Sequence, residues 1–520
     1  MANKKFESYL YLIPLILFIG SFFVWSLNFV IHDFANYYFG GSLILSGQFS
    51  TDVYDALKFN QILAHENIDG LYVNFYPNTP FIAFSMIPFN ILEWQSAKIL
   101  FNILSSGLFV LSVVRAREYY GISRVFLLLV PIIYFTSIKN NILFGQTYLL
   151  VFALLAEGLI QYERGKSLTS SLLWSIAILL KVFPVVLFAW LLLRKDLKTF
   201  AYLGFTCLLW IIVTLPFVGI EVWLYFITDV LPKSSAGLIY DGFTVKAKSA
   251  VMLFKNLFVF DEVINPDPVV DSELLFDLAN AGFKALFVSV CVYATLFRQN
   301  KVLISFGFWI FASLMIGPTS GSYAKVLLLF PILVLFAQVK EKRKLVIGSV
   351  LCALVVNVPT SLFYDLDVIF AFPVLYLLIV FFIFLLVSIG LKFDWRYYTA
   401  VWVSFFLLGI SRQTTTDYNY VMLNERHPLI LSRLEVDNNH LVYYSWSVDG
   451  ETRHITGHRV EEFSKAEVDI VGNNIFYRGE QITNSSDRKR EAYLVNNEEI
   501  FFLSDLNRGE GCYGLRKISI

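Results

Sequence analysis

The chain has 520 residues, of which 57% are hydrophobic, 17% aromatic and only 16% charged. Soluble globular proteins carry about 25% charged residues, so this composition excludes a soluble enzyme. The 41 basic and 41 acidic residues give a formal net charge of zero. Nothing in the charge balance therefore indicates a nucleic acid as partner.

Apolar runs long enough to cross a bilayer recur from Leu10 to about Ile410. A helical span needs about 20 apolar residues. The first run, Leu10 to Ile31, follows Lys4 and Lys5. Positive charge marks the cytoplasmic side of a membrane protein, so we expect the N-terminus in the cytoplasm.

Charge rather than hydropathy predicts the second span. Arg115, Arg117 and Arg124 indicate a cytoplasmic loop, and an odd number of crossings must separate that loop from the N-terminus. We therefore expect the second span at Trp94–Val114. The residues 33–92 then form a long outer segment whose apolar pieces lie along the membrane surface.

Further basic clusters alternate with the later apolar runs, as expected of cytoplasmic loops. Spans are predicted at about 124–138, 145–162, 168–181, 183–193, 199–217, 278–297, 302–317, 323–338, 345–363, 368–390 and 397–411. The total is about thirteen, and an odd total places the C-terminus outside. The two runs on either side of Lys181 are short enough to form a hairpin that does not fully cross.

The composition changes after Ser411, where charged and turn residues become frequent. Short alternating runs such as Leu441–Val448, closed by an Asp-Gly pair, are typical of β-hairpins. About 110 residues suffice for a small core. The fold class predicted is an α-helical polytopic membrane domain over 1–411, followed by a small β-rich extracytoplasmic domain over 412–520.

Two outer loops, 33–93 and 218–277, are too long to be simple connectors. Long loops on a rigid scaffold usually carry function. We therefore expect any chemistry on the outer face.

The most informative stretch opens the first outer loop and contains His32, Asp33, Tyr37 and Tyr38. A carboxylate at the mouth of a span is partly desolvated, which raises its pKa and makes Asp33 a candidate base. Alternatively, Asp33 caps the following helix, and His32 and the tyrosines form an interfacial aromatic belt.

Lysines stand at several outer positions. Lys139 and Lys181 lie near outer ends of predicted spans, and Lys325 follows a Gly-Pro turn. Intramembrane cations are costly and often face a cavity or an anion, and lysines beside helix N-termini suit a phosphate. Snorkelling is the alternative for Lys181, and a solvated loop face is the alternative for Lys246 and Lys248.

No glycine-rich phosphate loop, HExxH motif or CxxC pair occurs in the sequence. Outside the tail the histidines are His32 and His65, which excludes a multi-histidine metal centre in the membrane. We therefore expect no cofactor, and dependence on a divalent metal stays open.

A succession of short motifs resembles glycosyltransferase family 87 over about residues 25–340. The motifs are Asp33-Phe34-x-x-Tyr37-Tyr38, Ser46-Gly47, Val53-Tyr54-Asp55, Tyr76-Pro77-x-x-Pro80, Gly145-Gln146-x-x-Leu149-Leu150, Leu180-Lys181-x-Phe183-Pro184 and Gly317-Pro318 with Tyr323. The resemblance implies a GT-C fold and inverting transfer on the outer face from a polyprenyl-phosphate-linked sugar, with Asp33 as base. The family includes mannosyltransferases of phosphatidylinositol mannoside synthesis.

Two departures from the family pattern concern outer residues. A loop residue that is often His in the family is Tyr323 here, and the Asn-Gln-Ser pattern of the long outer loop is reduced to Lys248-Ser249-Ala250. The tail from residue 412 lies outside the resemblance, so the resemblance does not identify the acceptor.

We therefore predict a multi-pass glycosyltransferase of the cell inner (plasma) membrane. Its partners would be a polyprenyl-phosphate sugar donor, a lipid or glycan acceptor of the cell envelope, and membrane lipids, with no nucleic acid. Asp33 is the predicted general base. The predicted ligands of the donor phosphate are Lys181, Lys325 and Lys139. The predicted substrate-binding residues are His32, Tyr37, Tyr38, Tyr54, Asp55, Tyr76, Asn78, Gln146, Lys246 and Tyr323.

Two other classes of protein remain open. A lipid-linked glycan transporter or flippase would show inverted halves with broken helices, and no such repeat is seen in the sequence. A non-catalytic membrane scaffold that displays the tail domain is the other alternative.

Overall fold

A computed structural model describes most of the chain. The described residues are 10–66, 68, 71–238, 243–261, 265–297, 301–318, 321–364, 366–410, 421–422, 430–447, 450–485, 487–505 and 513–520. Within them, a helical part is followed by a β-rich C-terminal region, which confirms these two predicted classes of secondary structure.

The described helical part contains twenty α-helices. They are α1 Ile13–Leu27, α2 Phe34–Leu45, α3 Ala56–Ile62, α4 Pro80–Met86, α5 Trp94–Tyr119, α6 Val125–Ile133, α7 Phe135–Phe144, α8 Tyr148–Glu163, α9 Ser167–Leu180, α10 Val186–Leu193, α11 Leu197–Val218, α12 Ile220–Tyr225, α13 Leu231–Ser235, α14 Ala250–Phe258, α15 Glu273–Phe297, α16 Val302–Ile316, α17 Leu329–Gln338, α18 Lys342–Asn357, α19 Pro373–Ile389 and α20 Trp395–Ile410. The shorter turns include the 3₁₀ helices Thr51–Tyr54, Ala64–Glu66, Ile87–Ile91, Phe183–Val185, Val245–Ala247, Tyr323–Leu328 and Thr360–Phe363 and the π-helix Phe226–Val230.

Among the described helices, α5, α11 and α15 are long and apolar enough to cross a membrane. The pair α6 and α7 is a fourth if it forms one bent span. Helix α5 confirms the helix predicted from Trp94, and α11 and α15 match the runs predicted at 199–217 and 278–297. Most of the other predicted spans correspond to apolar helices of 10–17 residues, so the total of thirteen stays a prediction.

The span predicted at 124–138 is not one straight helix, because the helix breaks inside it. Helix α6 ends at Ile133, and α7 continues to Phe144 at an angle of 65°. Pro131 lies inside α6, where it removes a backbone N–H and crowds the preceding turn.

Asn357 of α18 satisfies backbone groups that the break frees. Its Nδ2 donates to the Ile133 carbonyl at 2.9 Å, and its Oδ1 accepts from the Thr136 N–H at 2.9 Å. Buried backbone groups need such partners. The bend lays α7 beside the 3₁₀ segment Tyr323–Leu328, which later contributes to the candidate site.

Close helix packing positions the residues around Asp33. Helix α2, which begins immediately after Asp33, packs on α4 through Gly40 and Gly41. A Cβ atom added at Gly41 would lie 3.1 Å from the Ala83 carbonyl oxygen and 2.4 Å from the Asn90 Oδ1. Glycine at this position therefore lets two backbones approach more closely than any side chain would permit.

The described C-terminal region has eleven strands in three antiparallel sheets. The strands are β1 Val421–Met422, β2 Ile430–Asp437, β3 His440–Ser447, β4 Gly450–Arg459, β5 Phe463–Ser464, β6 Val468–Val471, β7 Asn474–Tyr477, β8 Glu480–Gln481, β9 Lys489–Val495, β10 Glu499–Ser504 and β11 Gly514–Ser519. The strand orders are β1-β11-β10-β9-β5, β2-β3-β4 and β6-β7-β8. The predicted hairpin is the β3–β4 pair, with Val442 opposite Ile455.

Candidate active site

Asp33 lies where the chain passes from the first apolar helix, α1, into the segment that begins α2. It immediately precedes α2, but its side chain makes no capping hydrogen bond to that helix. Its Oδ2 instead accepts a hydrogen bond from the Gln146 Nε2 at 2.6 Å, and its Oδ1 lies 3.0 Å from the His32 Nδ1. The carboxylate is 26% exposed, so a substrate can reach it.

The surroundings of Asp33 lower its pKa. Burial acts in the opposite direction, but the imidazole of His32, the hydrogen bond from Gln146 and the charge of Lys181 together outweigh it. The prediction of a raised pKa is therefore wrong. At neutral pH the carboxylate is ionised, which is the state that a general base requires.

A directional chain of hydrogen bonds joins Asp33 to Lys181. The Lys181 Nζ donates to the Tyr37 hydroxyl at 3.2 Å, the Tyr37 hydroxyl donates to the Gln146 Oε1 at 2.8 Å, and the Gln146 Nε2 donates to Asp33. Lys181 also donates to the Asn78 Oδ1 at 3.1 Å. Lys181 therefore turns into the protein and does not snorkel to the interface.

Tyr37 and Gln146, which connect Lys181 to Asp33, keep the hydrogen bonds pointing in one direction. Burial raises the pKa of Tyr37 well above its ordinary value, so its hydroxyl stays protonated and remains a donor. The Gln146 amide has one acceptor and one donor end, and each end is used. The acid and the cation are therefore linked through neutral groups, without direct contact.

Gly145 sets the position of Gln146. It ends α7 with a left-handed backbone, φ +67°, a conformation that glycine adopts without strain. A Cβ atom at this position would lie 2.6 Å from the Cβ of Phe34. The turn that carries Gln146 is thus packed directly against the residue that follows Asp33.

Aromatic side chains line both sides of the chain of hydrogen bonds. The His32 ring stacks on Phe144, with centroids 3.9 Å apart and an interplanar angle of 7°. On the other side, the centroid of the Tyr148 ring lies 5.3 Å from that of Tyr323 and 6.2 Å from that of Phe183. Such faces can stack on the apolar side of a sugar ring.

A second group of cations lies near Tyr323. Lys325 is 2% exposed, and its Nζ donates to the Val355 carbonyl at 2.9 Å. Its charge repels that of Lys248, and burial lowers the pKa of Lys248. Neither lysine is paired with a carboxylate in the part of the chain that the structure describes.

Tyr54, Asp55 and Tyr76 make contacts that hold neighbouring segments in place, and their predicted role in substrate binding stays a prediction. The Tyr54 hydroxyl donates to the Asn78 carbonyl at 2.9 Å, and the Tyr76 hydroxyl donates to the Val230 carbonyl at 3.1 Å. The Asp55 Oδ1 caps α3 by accepting from two backbone N–H groups. These residues support the segment that presents Asn78 to Lys181.

Three other predicted residues make their described contacts elsewhere. The Tyr38 hydroxyl donates to the Leu92 carbonyl at 2.9 Å. The Lys139 Nζ lies 6.0 Å from the centre of the Phe135 ring, and Lys246 is exposed on the 3₁₀ helix Val245–Ala247. Their roles in substrate binding stay predictions.

Three residues near the site were not among the predicted site residues. Phe144 and Tyr148 lie on either side of the Gly145-Gln146 motif, and this closeness in the sequence could have identified them. Lys98 is buried, donates to the Val30 carbonyl at 2.8 Å and interacts electrostatically with Asp33. A lysine in the first turn of a predicted span was the signal for it.

The described residues contain no group of three or more His, Cys, Asp or Glu side chains placed to hold a metal ion.

Membrane-length helices and a polar acid–lysine cluster occur together in this chain. The family model of glycosyltransferase family 87 matches residues 75–318, nearly half of the chain, and confirms the resemblance seen in the sequence. The match and the apolar helices support a membrane glycosyltransferase. A search of curated proteins and a search of solved structures found no match.

The matched range divides the candidate site. It contains Asn78, Gln146 and Lys181, whereas Asp33 and Lys325 lie outside it. The family match therefore covers the residues that surround the carboxylate but not the carboxylate itself. The assignment of Asp33 as the candidate base depends on its contacts with Gln146 and His32.

We expect Gly145→Ala to disrupt the site. The left-handed backbone costs about 1–2 kcal/mol for a residue with a Cβ, and the clash with Phe34 should also move Gln146 away from Asp33. Thermal unfolding in detergent and sugar transfer would both be measured. Gly121→Ala is the matched control, because Gly121 has φ +65° with nothing within 4 Å of an added Cβ. Equal losses of stability and activity in the two variants would contradict this account.

We expect Gln146→Glu to shift the pH dependence of activity. In the wild type, burial acts to raise the pKa of Asp33, but His32, Gln146 and Lys181 outweigh it and leave that pKa below its ordinary value. A second carboxylate at 146 would repel Asp33 and raise its pKa, so activity should be lost at a higher pH on the acid side. The pH profile of kcat/KM measures this shift, with Gln146→Met as the uncharged comparison. An acid limb that stays in place in Gln146→Glu would refute the electrostatic coupling.

Proposed function

We propose that the protein transfers a sugar from a polyprenyl-phosphate-linked donor to a hydroxyl group of a lipid or glycan acceptor, with inversion, at the extracytoplasmic face. The observation that carries this proposal is the ionised, solvent-accessible Asp33, joined to Lys181 through Tyr37 and Gln146. The match to glycosyltransferase family 87 supports the class of reaction.

In the proposed reaction, Asp33 accepts the proton of the acceptor hydroxyl. The acceptor oxygen attacks the anomeric carbon in line, the bond between that carbon and the phosphate oxygen breaks, and polyprenyl phosphate leaves with the bonding electron pair. The leaving phosphate is a weak base, so the protein needs mainly to position it and to balance its charge.

The cation pair Lys325 and Lys248 suits the phosphate of the donor. Among the described residues, neither lysine has an acidic partner, and both are removed from water. Like charges that are buried together are costly unless an anion binds between them. Tyr323 precedes Lys325 by two residues, its ring lies 5.3 Å from that of Tyr148, and both rings would stack on the sugar. Lys181 would then bind the phosphate from the side of Asp33, and Lys139 is the fourth proposed cation.

The proposed scaffold is a GT-C fold with about thirteen spans in the inner (plasma) membrane. The basic clusters support a cytoplasmic N-terminus, and the long outer loops support an outer active site. The C-terminal region would then also lie outside. A mannosyl donor and an acceptor of the cell envelope follow from the family resemblance.

We expect Asp33→Asn to reduce sugar transfer about 10²–10⁴-fold, since this is the usual contribution of a positioned general base. Purified protein would be incubated with polyprenyl-phosphate sugars and an acceptor glycolipid extract, and product would be followed by mass spectrometry. Asp52→Asn is the matched control, because Asp52 lies in the same loop and pairs with the exposed Lys58. Unchanged turnover in Asp33→Asn would exclude it as the base, and donor flipping without transfer by the wild type would favour a transporter.

We expect Lys325→Met to raise the KM for the donor roughly tenfold or more, because one charge-assisted contact to phosphate is lost. The KM for the acceptor should stay unchanged. Lys58→Met serves as control, since its charge lies on the exposed surface of the same outer side. A donor KM equal to that of the wild type would remove Lys325 from the phosphate site.

A further inference from the structure

The C-terminal region presents two arginines to the helical part. Arg488 and Arg490 flank Lys489, and successive side chains in an extended segment point to opposite sides. Lys489 points inward, where its Nζ lies 2.9 Å from the Asp487 Oδ1 and 2.9 Å from the Ser485 Oγ. This buried anchor leaves the two arginines on the other side.

Each arginine meets an aspartate from a different outer loop. The Arg488 guanidinium lies 2.5 Å from the Asp229 Oδ1, with the two side chains 19% and 26% exposed. The Arg490 guanidinium lies 3.4 Å from the Asp55 Oδ2. Arg488 also covers the Tyr225 ring at 5.0 Å, so the contact combines charge with stacking.

Other charged groups also face these contacts. Lys233 lies 3.0 Å from the Asp229 Oδ2, so this aspartate is shared by two cations. Arg490 stacks on Tyr513 at 3.7 Å and donates to the Leu431 carbonyl. Arg490 is therefore fixed by its own region before it meets Asp55.

Both aspartates lie beside residues that hold the segment 76–78. Val230 follows Asp229 and accepts the hydrogen bond from Tyr76, and Tyr54 precedes Asp55 and donates to the Asn78 carbonyl. The Tyr54 ring also contacts Tyr225 at 5.8 Å. Asn78 in turn accepts from Lys181.

We infer that Arg488 and Arg490 are positioning residues that clamp the two outer loops together and thereby hold Asn78, and through it Lys181, in place. The part of this inference that concerns turnover rests on the proposed function. The placement of the segment by the clamp does not depend on that function, so the two can fail separately.

The test is a double-mutant cycle of Arg488→Gln and Asp229→Asn in the full-length protein in nanodiscs. Backbone hydrogen exchange of residues 75–79 and the kcat and KM of sugar transfer would be measured. Each single variant should exchange faster in this segment and lose roughly ten- to a hundredfold in kcat/KM, as a small misplacement of catalytic groups does. The double variant should be no worse than Asp229→Asn alone, because Arg488→Gln then removes a contact that is already lost.

Two further variants keep the inference falsifiable. Arg488→Lys keeps the charge and should recover part of the protection, and Arg478→Gln removes a 64% exposed arginine of the same region that pairs with Glu467 and should change neither measurement. Exchange of residues 75–79 unchanged in Arg488→Gln would overturn the clamp, whether or not sugar transfer is detected. Faster exchange with wild-type turnover would overturn the positioning role alone.

Discussion

The site depends on keeping an acid and a cation close in a poorly solvated place without letting them neutralise each other directly. Tyr37 and Gln146 achieve this, because each uses a donor on the side of the acid and an acceptor on the side of the cation. A direct ion pair would occupy the carboxylate. The neutral bridge leaves part of Asp33 open to solvent, and the glycine contacts at α2 and α7 provide the necessary close approach.

Three separate stretches of chain supply this arrangement, and none of them is sufficient alone. Asp33 and Tyr37 come from the start of α2, Gln146 from the turn before α8, and Lys181 from the end of α9. The supporting contacts extend further, to the π-helix and to the C-terminal region. The proposed chemistry therefore draws on parts of the protein inside and outside the range that the family match covers.

The sequence predicted Asp33, Tyr37, Gln146 and Lys181 because polar residues stand out in an apolar chain. It could not predict the lowered pKa of Asp33, which requires a partner 113 residues away. It also missed the bend after Ile133, where Asn357 contributes from 224 residues away. The sequence also could not predict that the hydroxyl groups of Tyr54 and Tyr76 bond to backbone carbonyls, because their partners lie 24 and 154 residues away.

Lys181 caps the C-terminal end of α9, where the peptide dipoles concentrate partial negative charge. A positive charge at this residue is therefore favoured by the helix end as well as by the Asp33 carboxylate. During the proposed transfer Asp33 becomes neutral as it takes up a proton. When Asp33 is neutral, the negative end of the α9 dipole would still favour the charge of Lys181. The residues around this lysine would then not need to rearrange while Asp33 holds the proton.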